Sequence, residues 1–189
     1  MNRYKRGYMQ IEQTYLKDAF IIHPDVYKDE RGWFTESYSI SSFPLDDVVF
    51  IQDNHSYSAK KGVIRGLHIQ NAPYTQSKLI RCIRGAINDV IVDVRPSSPT
   101  YLKHIVVLLS QDNMNELFIP KGFLHGFVTL TDDVEVCYKV DAVYNKNSER
   151  SVLFSDPLFN INWGEGEFTL SAKDKAAPLF SNADIVLEN

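Results

Sequence analysis

Cysteine is scarce in this chain: Cys82 and Cys137 are the only two. One bridge is arithmetically possible, but the two form no CxxC pair and nothing resembles a disulfide framework. A disulfide scaffold and a cysteine-based zinc site are therefore excluded. Both stand in apolar, strand-like runs, so two buried free thiols are expected. Long hydrophobic runs are also missing. The longest aliphatic stretch, Ile105 to Leu109, is far too short to cross a bilayer, and no apolar segment follows the basic start Met1-Asn2-Arg3-Tyr4-Lys5-Arg6. A soluble, cytoplasmic protein without a membrane partner is expected. Positive charge is not in excess: 20 Lys and Arg stand against 24 Asp and Glu, giving a net charge of -4 at pH 7 and a pI of about 5.7. Such a balance gives no electrostatic reason to bind nucleic acid. Sustained helical periodicity is absent, and so are GxGxxG and GxxxxGK[ST] motifs, which argues against a Rossmann or P-loop fold.

The composition is otherwise that of a globular chain, with 44% hydrophobic and 23% charged residues among 189. One domain over residues 1–189 is expected, with 1–18 as an N-terminal extension and 171–189 as a C-terminal tail holding a short helix. Aromatics are plentiful at 11 Phe, 10 Tyr and 2 Trp, which favours strands and large cores. Short apolar runs alternate with turn signals such as Asp29-Glu30-Arg31-Gly32, Arg84-Gly85, Pro96-Ser97-Ser98-Pro99 and Pro120-Lys121-Gly122. Strands are predicted at Phe20–Val26, Trp33–Tyr38, Val48–Asp53, Val63–Gln70, Lys78–Ile83, Ala86–Val94, His104–Ser110, Glu116–Ile119, His125–Leu130 and Val134–Val140. That pattern predicts an all-β sandwich or barrel. Ser171 ahead of Ala172-Lys173-Asp174 reads as a helix N-cap.

Period two sorts the strand faces. Val134, Val136, Tyr138 and Val140 share one face, which turns Tyr138 inward with the apolar side chains. Lys78 shares parity with Ile80 and Cys82 and is expected to point inward too. Strict alternation puts Arg65 opposite His68, unless a bulge near Gly66 re-aims it.

Two blocks carry the chemistry: Gly62-Val63-Ile64-Arg65-Gly66-Leu67-His68-Ile69-Gln70, and Pro120-Lys121-Gly122-Phe123-Leu124-His125-Gly126-Phe127. Their spacing resembles the two motifs of the cupin superfamily, which are built around metal-ligating histidines and a glutamate. Here Gln70 replaces the second histidine and Lys78 stands where the glutamate would be, six residues before Gly85. A cation in place of an anionic ligand, with only His68 and His125 left, predicts a barrel without a metal.

Further runs make the resemblance specific. Gln52-Asp53-Asn54-His55-Ser56, Arg65-Gly66-Leu67-His68, Lys78-Leu79-Ile80-Arg81-Cys82, Asp89-Val90-Ile91-Val92-Asp93, Ser98-Pro99-Thr100, Tyr138-Lys139, Asp156-Pro157 and Leu170-Ser171-Ala172-Lys173-Asp174 occur in the order of the dTDP-4-dehydrorhamnose 3,5-epimerase family. The chain is similar to that family from about Phe20 to Asp174. The resemblance implies a cupin-type jelly-roll β-barrel with a few short helices, a homodimer, no cofactor, and a nucleoside-diphosphate 4-keto sugar as substrate. It implies that His68 is the base, Asp174 its orienting carboxylate, Lys78 the stabiliser of the enolate oxygen and Tyr138 the acid. Arg65 and His125 are carried over as pocket residues, and Arg31, Glu36, Gln52, Asn54, Tyr144, Glu149 and Lys173 as groups that hold the nucleotide sugar.

Read singly, the same residues have plainer roles. His68 or Tyr138 could be core side chains, Asp174 could serve a helix N-terminus, and Trp163 could be a core or interface anchor. Three other functions stay open: epimerisation of one carbon only, action on a different nucleotide-linked keto sugar, and sugar-nucleotide binding without catalysis.

Overall fold

The computed structural model describes residues 3–6 and 9–187, with side chains from Met9 onward; positions 1, 2, 7, 8, 188 and 189 of the expected extension and tail lie outside the described residues. Fourteen strands follow one another: β1 (Arg3–Arg6), β2 (Met9–Gln13), β3 (Phe20–Pro24), β4 (Val26–Asp29), β5 (Gly32–Thr35), β6 (Gln52–Ser58), β7 (Ile64–Gln70), β8 (Lys78–Arg84), β9 (Ala86–Asp93), β10 (His104–Ser110), β11 (Glu116–Ile119), β12 (Phe123–Thr129), β13 (Val134–Val140) and β14 (Glu149–Ser151). A four-residue helix, α1 (Ala172–Lys175), and one 3-10 turn at Phe180–Asn182 complete the described elements. The strands form a seven-stranded sheet, β1-β2-β3-β11-β8-β13-β6, a five-stranded sheet, β10-β9-β12-β7-β14, and the separate hairpin β4-β5. Every paired strand runs antiparallel. Two facing antiparallel sheets with such crossovers make the expected jelly roll. No described helix is long and apolar enough to cross a membrane.

Strand alternation divides the apolar side chains into three cores. Ile80 and Cys82 on β8, Ile87 and Ile91 on β9, Phe123 and Phe127 on β12 and Val134 and Val136 on β13 meet between the sheets. The outer face of the five-stranded sheet is covered by the C-terminal segment through Phe159, Trp163 and Ala183. Trp163 is a core anchor there, its Nε1 donating to the Phe154 carbonyl at 2.8 Å. On the seven-stranded sheet, Met9, Ile11, Phe20, Leu79 and Phe118 pack under Phe43 and Val48.

Several boundaries differ from the sequence expectation. The apolar run Val48–Ile51 is not the start of a strand. Val48 and Phe50 serve the outer core instead, and pairing begins at the polar stretch Gln52–Ser58. The predicted strand Phe20–Val26 breaks at Asp25, which lets β4 turn away into its own hairpin, and the predicted Trp33–Tyr38 ends at Thr35. The residues read as an extension supply β1 and β2, which add two strands to the sheet edge. Cys137 is half-buried rather than buried, because it lies on the outer face of β13 opposite Val136 and Tyr138; Cys82 is buried, and both are free thiols.

Candidate active site

The barrel interior opens into a cavity of about 520 Å³ lined by Arg65, His68, Lys78, His125, Tyr138 and Asp174, among others. A second hollow of about 280 Å³ adjoins it. It shares His68, Lys78 and Tyr138 with the first and adds Gln52, Asn54, Gln70, Tyr144 and Glu149. Together they form one cleft, with the titratable groups at the junction.

A bulge in β7 assembles the five-stranded wall. His68 pairs with His125, but the next registered pair is Arg65 with Phe127, so one extra residue sits on β7 opposite Gly126. Strict alternation would have aimed Arg65 away from His68; the bulge turns both side chains into the cavity. It is possible because two glycines meet there. Gly66 has φ +123°, and a Cβ on it would stand 2.5 Å from Gly126 Cα and 2.7 Å from the His125 carbonyl oxygen. The Arg65 guanidinium then reaches across to β6, donating to Ser58 Oγ at 3.1 Å and to the Tyr57 carbonyl at 2.8 Å.

His68 is held from outside the barrel. Its Nε2 lies 2.6 Å from Oδ1 of Asp174, which is buried in α1. The capping role that Asp174 might have filled belongs to Ser171, whose Oγ accepts from the Asp174 backbone N–H at 3.1 Å. The carboxylate is thereby free for the imidazole. Burial alone would raise Asp174; the hydrogen bond and charge of His68, the Ser171 hydroxyl and Lys173 outweigh it and hold the carboxyl below its usual range. The other ring nitrogen of His68 makes no hydrogen bond among the described residues.

Tyr138 faces this pair from β13, in the opposite sheet, as its parity with Val134 and Val136 predicted. Burial pushes its phenol above the usual range, with Glu149 adding to the rise and Arg65 opposing it. At neutral pH it keeps its proton, and among the described residues its hydroxyl has no partner. Lys78 opens β8 and points inward. Burial pulls its ammonium down to about 8, although Asp89 and Glu149 both hold it up. It forms no ion pair among the described residues, so its protons stay available to a ligand.

His125 is buried, and its Nε2 lies 2.9 Å from Oδ2 of Asp89, a side chain with no solvent exposure. Burial keeps the ring below the usual imidazole range against the pull of Asp89, and Lys78 and His68 add to the fall. The motif reading gave Asp89 no role. The signal was available: Ile87, Asp89 and Ile91 share one face of β9, and a carboxylate on an inward apolar face requires a reason.

The remaining expected residues fall into two sets. Glu149, Lys173 and Tyr144 form a polar rim, with Lys173 Nζ 2.6 Å from Glu149 Oε1 and the Tyr144 hydroxyl donating to Glu149 Oε2 at 3.1 Å. Gln52 Nε2 donates to Asn54 Oδ1 at 2.8 Å beside them. Arg31 and Glu36 do not line the cleft of their own chain. Arg31 is highly exposed at the β4–β5 turn, paired with Asp29 at 2.6 Å, and Glu36 accepts from Ser42 Oγ at 2.8 Å. Among the described residues, no group of three or more His, Cys, Asp and Glu side chains could hold a metal ion.

Known proteins share this architecture. Residues 13–182 match the family model described as dTDP-4-dehydrorhamnose 3,5-epimerase. A dTDP-4-dehydrorhamnose 3,5-epimerase of Shigella flexneri is 46% identical over 179 residues, covering 93% of this chain and 98% of its own. The solved dTDP-6-deoxy-D-glucose-3,5-epimerase of Legionella pneumophila, in complex with dTDP-4-keto-L-rhamnose, matches with a TM-score of 0.90 at 39% identity over 96% of this chain and 99% of its own. A 3'-monoepimerase of Streptomyces bikiniensis, in complex with dTDP-quinovose, matches with a TM-score of 0.84 at 31% identity over 90% and 87%. A jelly roll with this cleft, and likeness of this extent along nearly the whole sequence, mean that the chain belongs to the dTDP-4-dehydrorhamnose 3,5-epimerase family.

Proposed function

We propose that the chain inverts C3 and C5 of dTDP-4-dehydro-6-deoxy-D-glucose, giving dTDP-4-dehydro-L-rhamnose, with His68 as base and Tyr138 as acid. One observation carries this assignment: His68 on one sheet, held by Asp174 from α1, faces a protonated tyrosine on the other sheet, with a lysine at the junction that has no ion pair among the described residues. The 4-keto group acidifies the protons on its two neighbouring carbons. The free ring nitrogen of His68 takes one of them, and Asp174 stabilises the imidazolium that results. The C–H electron pair moves onto the C4 oxygen, and the Lys78 ammonium meets the developing enolate. Tyr138 returns a proton to the same carbon from the opposite face, which inverts it. Exchange with solvent resets both groups for the second carbon. Arg65 and His125 position the ring, and the rim of Gln52, Asn54, Tyr144, Glu149 and Lys173 receives the nucleotide.

We assign the assembly as a homodimer. The β4–β5 hairpin exposes Tyr27, Trp33 and Phe34, at 51, 60 and 67% of their surfaces, a large apolar display for one hairpin. Arg31 lies on that hairpin and Glu36 directly after it, both away from their own cleft. A second copy covering the hairpin would bury these rings and receive both residues at its own nucleotide rim. Sedimentation should give twice the mass of one chain; a monomer at micromolar concentration would refute this.

The activity is tested by incubating the protein with dTDP-4-dehydro-6-deoxy-D-glucose in heavy water and reading C3 and C5 by NMR. Deuterium and inversion at both carbons are expected. Inversion at one carbon alone would mark a mono-epimerase, and binding with no uptake would remove the catalytic assignment.

A further inference from the structure

The least explained charge in the barrel is Asp89. Its side chain has no solvent exposure, Oδ2 meets His125 Nε2 at 2.9 Å, and Oδ1 has no hydrogen-bond partner among the described residues. A buried carboxylate left half-satisfied is costly, so its retention calls for a function. Its one partner does not neutralise it, because burial keeps the His125 ring uncharged at neutral pH. No lysine or arginine lies within ion-pair distance of Asp89 among the described residues.

Lys78 is the complementary case. It sits on β8 in one sheet, while Asp89 sits on β9 in the other. Lys78 lines the cleft together with His125 on β12, Glu149 on β14, His68 and Arg65 on β7 and Tyr138 on β13, with Lys173 and Asp174 closing the cavity from α1; Asp89 lies behind His125, and its charge and that of Glu149 both hold the ammonium up. Cys82, also on β8, is raised by burial above all, with the Asp89 charge adding to the rise. Two of these neighbours are anions already matched: Glu149 holds Lys173, and Asp174 holds His68. Asp89 alone keeps a buried carboxyl oxygen, Oδ1, without a partner among the described residues.

We propose that Asp89 is a positioning residue of this site, a buried counter-charge that fixes the His125 ring and keeps the Lys78 ammonium ionised without occupying its protons. A direct ion pair would spend those protons on the carboxylate. Charge acting across the barrel leaves all three for the enolate oxygen. The inference rests on the role assigned to Lys78 above, so its test separates the two.

Asp89→Asn keeps the shape and removes the charge. Lys78 is followed by NMR of ε-¹³C-lysine-labelled protein, its signal identified by its loss in Lys78→Arg. In the unaltered protein it should titrate near 8. In Asp89→Asn the midpoint should fall by about one pH unit or more, and Asp89→Glu should restore most of it. The alkaline limb of kcat/KM should move by the same amount, costing about tenfold more activity above the new midpoint than at pH 6.5. In a Lys78→Arg background Asp89→Asn should move no limb. An unchanged Lys78 titration overturns the proposal. A shifted titration with an unmoved rate limb overturns the role of Lys78 and spares the electrostatic link. If Asp89→Asn does not fold, Asp89→Ser serves the same titration.

Discussion

Replacing Gly66 by alanine tests whether the β7 bulge builds the site. A Cβ at this position would lie 2.5 Å from Gly126 Cα and 2.7 Å from the His125 carbonyl oxygen, and both obstacles are backbone. Neither can rotate aside, so a strand must move. The φ of +123° adds strain that an L side chain meets and glycine does not. Strain of about 1–3 kcal/mol together with a backbone clash predicts a loss of roughly 3–5 kcal/mol in stability. For a domain of this size that is a fall in Tm of about 6–20 °C. Gly32 supplies the control: its φ is +136°, but nothing lies within 4 Å of a Cβ there, so Gly32→Ala carries strain without clash. Thermal unfolding of the two variants separates the contributions, and Gly66→Ala should lose several degrees more. The functional consequence is sharper, because Arg65 and His68 flank the bulge. Deuterium uptake should fall well beyond what the unfolded fraction explains at the assay temperature. A Gly66→Ala protein with a Tm within ~2 °C of the unaltered chain and full turnover would refute the account.

Further outcomes follow from the site and from one buried carboxyl outside it. His68→Ala should abolish solvent exchange at both carbons, whereas Tyr138→Phe should retain some exchange without inversion; near-normal turnover in the first would sink the mechanism. Asp174→Asn should lower kcat by about 10²–10⁴-fold with a far smaller change in KM, because the imidazolium loses its counter-charge; steady-state kinetics at constant pH decides it. The depressed Asp174 carboxyl also contributes stability that is present above the ordinary value of 3.8 and lost as pH falls through its folded value. Glu116 behaves in the opposite sense. It is buried on β11 with one carboxyl oxygen unpartnered among the described residues, and burial pushes it up to about 8 against Arg81 and Lys139. The unfolded chain ionises it near 4.5, so it costs stability progressively as pH rises from there to about 8. Glu116→Gln should therefore be more stable at pH 7, by roughly 2–3 kcal/mol, and indistinguishable at pH 4; denaturant unfolding at the two values gives the answer, and an equal gain at both would refute it.

Much of the fold was legible because its signals are local. His104–Ser110, Glu116–Ile119 and Val134–Val140 alternate or run apolar between clear turns, and the structure forms strands over those same residues. What was missed depends on partners distant in sequence. β6 and β14 are polar, at Gln52–Ser58 and Glu149–Ser151, and become strands only because β13 and β7 offer them free edges. The inward turn of Lys78 and Tyr138 followed from parity alone. The joint inward turn of Arg65 and His68 did not, since it needs Gly66 to meet Gly126 across sixty residues of chain. Arg31 and Glu36 are the reverse case. Their motif positions were readable, yet the fold puts Arg31 on the β4–β5 hairpin and Glu36 directly after it, away from the cleft of their own chain.

The substitutions that separate this barrel from a metal-holding cupin form a single electrostatic design. A divalent ion in such a site would bring a concentrated positive charge to an oxyanion and need anionic ligands to hold it. Here Lys78 occupies the ligand position and brings one positive charge on a flexible stem. A lysine in a closed pocket tends to lose its proton, and its fall to about 8 shows how far burial has driven it. A mobile cation at the junction therefore needs a fixed anion nearby that does not bind it. Asp89 meets that requirement by spending its hydrogen bond on His125, just as Asp174 spends its own on His68. The two His–Asp pairs thus differ in use though not in form. One places a proton acceptor that is partly open to the cleft; in the other the histidine lines the cleft and the carboxylate is sealed behind it, so that its charge acts at a distance. Exchanging the two environments, by opening the second or closing the first, would leave the same residues present and the chemistry without a base or without its cation.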